Sequence, residues 1–334
     1  PSIRPVPEPA ALKEAVKILE KAERPVIVAG RGVVMSSAAP EGMQLAEMLS
    51  IPVATSNDGK GVIIETHPLS VGVVGAYSCQ CANRVVSEAD LVIFIGCSTG
   101  DQVTLDWTIP GPGTKIIQID INPSELGKNY GNTLGIMGDA KVTLTHLLAD
   151  LKTDLKIENR RETWVSNVGQ IVKEWMDVIA PFQTSDAVPI RPERLCRSIT
   201  DILPADAILV ADTGYSAVWS STMIHITNPN QRYIRAAGSL GWAFPAALGA
   251  KCAEPEKPVI CFTGDGGFWY HLGELETARR WGINTVTVIN NNNGLGQSIT
   301  GMNNAYGDSP GKRKETYGFE ATNFAKIAED IGCM

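Results

Sequence analysis

A basic excess is missing from this 334-residue sequence: 29 lysines and arginines face 36 acidic side chains, for a formal net charge of −7. That sign is wrong for a chain held on nucleic acid by phosphate neutralisation, so no nucleic-acid partner is expected. No apolar run approaches the roughly 20 residues that span a bilayer, and the opening PSIRPVPEPA carries no signal-peptide apolar region. A cytoplasmic protein without a membrane partner is the expectation. Zinc-ribbon spacing is absent too. The seven cysteines (Cys79, Cys81, Cys97, Cys196, Cys252, Cys261, Cys333) are odd in number, and the close pair Cys79 and Cys81 is neither CxxC nor matched by a second pair. They read as reduced thiols, with Cys97 and Cys261 acting as small hydrophobes in apolar stretches. Of only four histidines, His67, His146 and His225 share no spacing and are taken as structural.

What is present is a folded chain long enough for two domains, with 44% hydrophobic residues and 32 glycines, which implies many tight turns. Leu12, Val16, Ile18 and Leu19 in ALKEAVKILEKA recur at near-helical spacing, and RPVIVAG then reads as a buried strand entering a glycine turn. The alternation continues through a helix at 41–49, strand IPVAT, a helix at 83–89, strands LVIFIG and KIIQIDI, and a helix at 142–151. Short apolar strands alternating with helices predict a parallel sheet covered on both faces. Strand signals vanish across 153–190, a helix-compatible linker, and the pattern restarts with a helix at 192–202 and strand AILVADTG. A helix at 217–223, the glycine-rich RAAGSLGWAFPAALGA, strand PVICFTGDGG, a helix at 272–281 and strand NTVTVINNN follow. The predicted fold is α/β: two doubly wound parallel-sheet domains, 1–152 and 191–334, joined by the helical linker.

The chemistry concentrates between Val259 and Gln297. Strand VICFT delivers Gly264, Asp265, Gly266 and Gly267 to a strand-to-helix turn, where open α/β sheets bind ligands. Glycine backbone and a helix N-terminus favour phosphate. An aspartate there would repel phosphate unless it held a divalent cation bridging carboxylate and phosphate oxygens. Asn291, Asn292, Asn293 and Gly294 end the next strand, and one intervening helix and strand would return Asn292 beside Asp265. Such oxygen ligands suit magnesium.

GDG followed by about two dozen residues and then NN resembles the cofactor signature of thiamine-diphosphate-dependent enzymes. ADTGYSAVW at 211–219 resembles that family's first phosphate-contacting turn, GSLGWAFPAALGA at 238–250 the segment under the bent cofactor, and DGKGVIIETHPLSVGVVG part of its central domain, closest to acetolactate synthase-like proteins. The resemblance implies that Asp265, Asn292 and the Gly294 carbonyl ligate Mg2+. It places Gly214, Tyr215, Ser216, Gly264, Gly266 and Gly267 around the diphosphate, with Leu295 and Gly296 also in the cofactor site. Gly238, Ser239 and Leu240 would lie under the cofactor, Leu240 propping its rings into a V. The implied reaction is decarboxylation and carboligation of a small 2-oxo acid.

In that family a further domain supplies a glutamate to the aminopyrimidine ring. Nothing in these 334 residues corresponds to it, and the 191–334 domain looks C-terminally incomplete. A chain or domain carrying that glutamate is therefore an expected partner, within a homo- or hetero-oligomer, dimer or tetramer, since family sites lie between subunits. Related central domains bind FAD, ADP or nothing. STGDQVT at 98–104 departs from the charged flavin-contacting pattern, so FAD or ADP in residues 1–152 is the lesser expectation. The competing reading is a non-catalytic nucleotide (ADP or FAD)-binding or regulatory module of the same fold. A Rossmann dehydrogenase is weaker, because Gly30 and Gly32 lack the third glycine of a dinucleotide fingerprint. His271, Trp242 and Phe244 are tempting neighbours of the signature, yet solvated or core roles are commoner for each. Glu274 and Glu276 are too close in sequence to form a paired acid and base on one helical face.

Overall fold

The computed structural model describes residues 3–154, 161–307, 312 and 314–334. Two compact units emerge, Pro1–Val188 with His225–Pro229, and Pro189–Ile224 with Asn230–Met334.

Among the described residues the first unit carries β1 (Pro25–Ala29), β2 (Val53–Thr55), β3 (Ser70–Val73), β4 (Leu91–Ile95), β5 (Lys115–Asp120) and β6 (Thr133–Met137). They form one sheet in the order β3-β2-β1-β4-β5-β6, every pairing parallel. The order reverses between β1 and β4. Side-chain alternation explains why these strands are apolar throughout: Ile27 and Ala29 of β1, with Leu91, Ile93 and Ile95 of β4, join one core. Val26 and Val28, with Val92 and Phe94, join the core on the opposite face. Both faces are covered, as parallel sheets require. Strands β3 and β6 carry no sequence prediction because each is short and holds a glycine, Gly72 or Gly135, that breaks the apolar run.

Within the stretch read as a linker, Glu162–Gln183 is a 22-residue helix that packs into the first unit. Trp164, Val168 and Ile171 at helical spacing enter the second of its cores, and Trp164 Nε1 donates to the Pro25 carbonyl at 3.0 Å. Arg161 begins this helix and is 2% exposed. Its guanidinium donates to the carbonyls of Leu19, Ala22 and Leu49, which close the helices Pro9–Lys21 and Ala39–Leu49. Those are the negative ends of two helix dipoles with orphan carbonyls, so the charge is placed where it is stabilised. Burial nevertheless lowers its pKa to about 10.

The second unit carries β7 (Ile208–Ala211), β8 (Arg232–Arg235), β9 (Val259–Gly264) and β10 (Val286–Asn290) among its described residues. All pairings are again parallel, in the order β10-β9-β7-β8. Strand β8 alternates exposed arginine and isoleucine with buried tyrosine and arginine, the signature of a half-covered edge, which a search for apolar runs passes over. Phe244 is 2% exposed and packs against Phe268 with tilted rings at a centroid separation of 5.0 Å, which places it in the core. Among the described residues no helix is long and apolar enough to cross a membrane.

Replacing Arg161 by methionine leaves three helix-end carbonyls without their donor and is expected to cost roughly 3 kcal/mol. Urea unfolding followed by circular dichroism measures this, and an unchanged midpoint would contradict the staple.

Candidate functional site

In the second unit the strand order turns around between β7, which leads to β8, and β9 on its other side. Open α/β sheets bind ligands beyond the carboxyl ends of their strands at such a switch point. Asp212 follows β7, Gly264 ends β9 and Asp265 follows it, and Asn291 follows β10. Parallel register sets Gly264 opposite Asn290, so the two loops leave the sheet side by side.

Asp265 is 2% exposed, and its Oδ2 accepts a hydrogen bond from Gly294 N at 2.7 Å. Burial pushes its carboxyl above the ordinary range, opposed by backbone N–H groups of Gly266, Gly294 and Asn292. No ion pair among the described residues reaches it. Gly294 O accepts from Gly296 N at 2.9 Å, with Leu295 at φ −78° and ψ 72°, an inverse γ-turn. A carbonyl has two lone pairs, so one remains for another partner. Asn292 is exposed and its amide lies over Gly296, where a Cβ would come within 2.5 Å of Nδ2. A buried carboxylate without a cationic side-chain partner among the described residues, an amide and a carbonyl thus gather at one pair of strand ends. Hard divalent cations take oxygen donors of these kinds. No cluster of three or more His, Cys, Asp or Glu occurs among the described residues, so a soft-metal centre has no counterpart.

The other predicted positions surround this loop pair. A Cβ on Gly266 would come within 2.5 Å of Leu295 Cδ2, which would have to shift, and one on Gly267 would run into the buried Asp212 carboxylate. Ser216 is buried beside Gly264, with its Oγ 3.4 Å from where a Cβ would stand. Gly214 has φ +72° and precedes the exposed Tyr215, whose ring lies against Gly296. Gly238 and Ser239 are exposed and Leu240 is half-buried; they join the cluster through Gly241, whose N–H donates to Asp212. Exposed His271 and Tyr270 pack around Gly241, and Trp242 is exposed.

Two features carry no sequence prediction. Asp212 stands inside ADTG, and an acid directly after four buried apolar residues was a usable signal. Residues 317–319 form a strap over the β10 loop: Leu295 N donates to Tyr317 O at 2.7 Å and Phe319 N to Asn293 O at 2.8 Å. Nothing in TYGFE announces that pairing.

A family model described as "Thiamine pyrophosphate enzyme, central domain" matches residues 12–147, and "Thiamine pyrophosphate enzyme, C-terminal TPP binding domain" matches residues 212–334. The chain belongs to the thiamine pyrophosphate enzyme family. It is 37% identical over 98% of its length to a probable acetolactate synthase large subunit of Methanocaldococcus jannaschii. It is 30% identical over 96% to the acetolactate synthase large subunit of Haemophilus influenzae, and 32% over 98% to a glyoxylate carboligase of Escherichia coli O157:H7. The chain spans 55%, 55% and 57% of those relatives. The switch-point loops of this thiamine pyrophosphate enzyme chain fall inside the matched C-terminal TPP binding domain.

Gly294→Ala places a Cβ within 2.5 Å of the Tyr317 carbonyl, which must move. The substitution is expected to open the strap, raising amide exchange at Leu295 and Phe319 about tenfold or more through loss of two hydrogen bonds. Unchanged protection at both amides would show that the strap does not depend on this approach.

Proposed function

We propose that the second unit holds thiamine diphosphate through Mg2+, as part of an acetolactate synthase-like enzyme that decarboxylates a small 2-oxo acid and joins the remainder to an acceptor. The observation that carries this reading is the buried Asp265, without a cationic side-chain partner among the described residues, accepting from Gly294 N across two adjacent parallel strand ends. In this reading Asp265, Asn292 and the Gly294 carbonyl bind the metal. Gly214, Tyr215, Ser216, Gly264, Gly266 and Gly267 hold the diphosphate, with Leu295 and Gly296 closing the loop, and Gly238, Ser239 and Leu240 support the rings. The bound cofactor supplies an electron sink for decarboxylation. The protein's part is to hold the metal that would neutralise the diphosphate and to fix ring orientation. The activating glutamate comes from a separate domain or partner chain, and the working assembly is at least a dimer.

The relatives' printed names support the carboligation half of the proposal, and the matched TPP binding domain supports the cofactor. Calorimetry with thiamine diphosphate, with and without Mg2+, is the direct test. Metal-dependent binding that Asp265→Ala weakens roughly a hundredfold or more is expected. Binding of ADP or FAD alone would favour a nucleotide module instead.

The raised Asp265 pKa gives a second test. A carboxyl whose folded pKa exceeds its unfolded value favours the folded state at low pH, and that contribution is lost as pH rises through the folded pKa. Above it the buried charge is a liability that a cation relieves. The rise in Tm on adding Mg2+ is therefore expected to be largest at neutral pH, to shrink toward acid, and to vanish in Asp265→Asn. A pH-independent increment, or one retained in that variant, would place the cation elsewhere.

A further inference from the structure

Asp212 is 0% exposed and no ion pair among the described residues includes it. Its two oxygens accept from Gly241 N at 3.1 and 3.0 Å, from Thr213 N at 2.8 Å and from Thr263 Oγ1 at 2.9 Å. A Cβ on Gly267 would run into Oδ2. The carboxylate therefore lies among three segments: the turn Gly238–Gly241 after β8, the end of β9, and the start of the helix Asp265–Tyr270. Burial pushes its carboxyl above the ordinary range. Stability by itself gives no reason to keep a desolvated charge here, since buried ionic groups are often replaceable by well-packed apolar ones.

Position gives a reason. Gly241 has φ +91°, and a Cβ there would lie 2.8 Å from Tyr270 Cβ and 3.0 Å from Gly267 O. The turn is thus pressed against the helix that begins at Asp265, with Asp212 as the acceptor that sets its height. We propose that Asp212 is a positioning residue: its carboxylate locks the turn bearing Leu240 in register with the GDGG turn, so that the ring-supporting and diphosphate-holding halves of the site meet. This rests on the thiamine diphosphate reading above. A carboxylate is all acceptor, whereas an isosteric amide presents a donor to one of these donors.

The test uses the full chain and two probes with Mg2+, thiamine diphosphate and inorganic diphosphate, titrated by calorimetry. In Asp212→Asn the affinity for thiamine diphosphate is expected to fall roughly tenfold, the effect of one lost buried hydrogen bond, while inorganic diphosphate binds as in the wild type. Amide exchange at Gly241 accelerates. Thr263→Val moves the ratio of the two affinities in the same direction, and Thr263→Ser restores it. A ratio unchanged in Asp212→Asn and Thr263→Val, including equal weakening of both probes, overturns the proposal and leaves Asp212 with a structural role. Wild-type protein that binds neither probe overturns the reading of the site itself, and this inference with it.

Discussion

The register between β9 and β10 is the constraint on which the second unit depends. Gly264 stands opposite Asn290, so the residues that follow each strand leave the sheet as neighbours. Had the strands slipped by one residue, every side chain would have changed face, because the pleat repeats every two residues. The Gly294 amide instead reaches Asp265, and a carboxylate withdrawn from water acquires backbone donors without a cationic partner. The proposed Mg2+ would bring to this carboxylate a charge greater than that of any single side chain nearby.

Around this register the unit spends small residues where backbone must approach backbone or carboxylate. Gly266, Gly267 and Gly294 each stand where a side chain would collide with Leu295, Asp212 or Tyr317. The apolar support lies behind: Phe244, Phe268 and Phe324 pack edge and face beneath the switch point. The first unit shows the same doubly wound logic with a different emphasis. Its sheet is filled on both faces, and one of its buried cations, Arg161, caps helix ends. In the second unit, two buried acids, Asp212 and Asp265, stand directly after strands.

Much of this was legible in order along the chain. Continuous apolar runs such as PVIVA, LVIFI and VICFT mark the central strands, because a strand covered on both faces has no polar position to break the run. β3, β6 and β8 escaped notice for the converse reason, being short, glycine-bearing or half exposed. The helix at 162–183 lacks strand signals and so resembles a connector, yet its Trp164, Val168 and Ile171 stripe is a packing face. Asp265 and Asn292 could be placed side by side because two motifs each end a recognisable strand, whereas only the family resemblance pointed to the Gly294 carbonyl. The Tyr317–Phe319 strap could not, since two backbone hydrogen bonds leave no trace in residue type.

By itself the amino-acid order determined the two α/β units, the strand-end placement of GDGG and the asparagine run, and the kinship that these motifs carry. Local periodicity and turn chemistry are properties of neighbouring residues, so they survive without coordinates. The tertiary structure alone decided that Asp212 would be shared by Gly241 and Thr263, that the strap would close over Gly294, and that Arg161 would staple two helix ends. Those are contacts between segments distant in the chain, and their existence depends on strand order and packing depth, which no local pattern encodes.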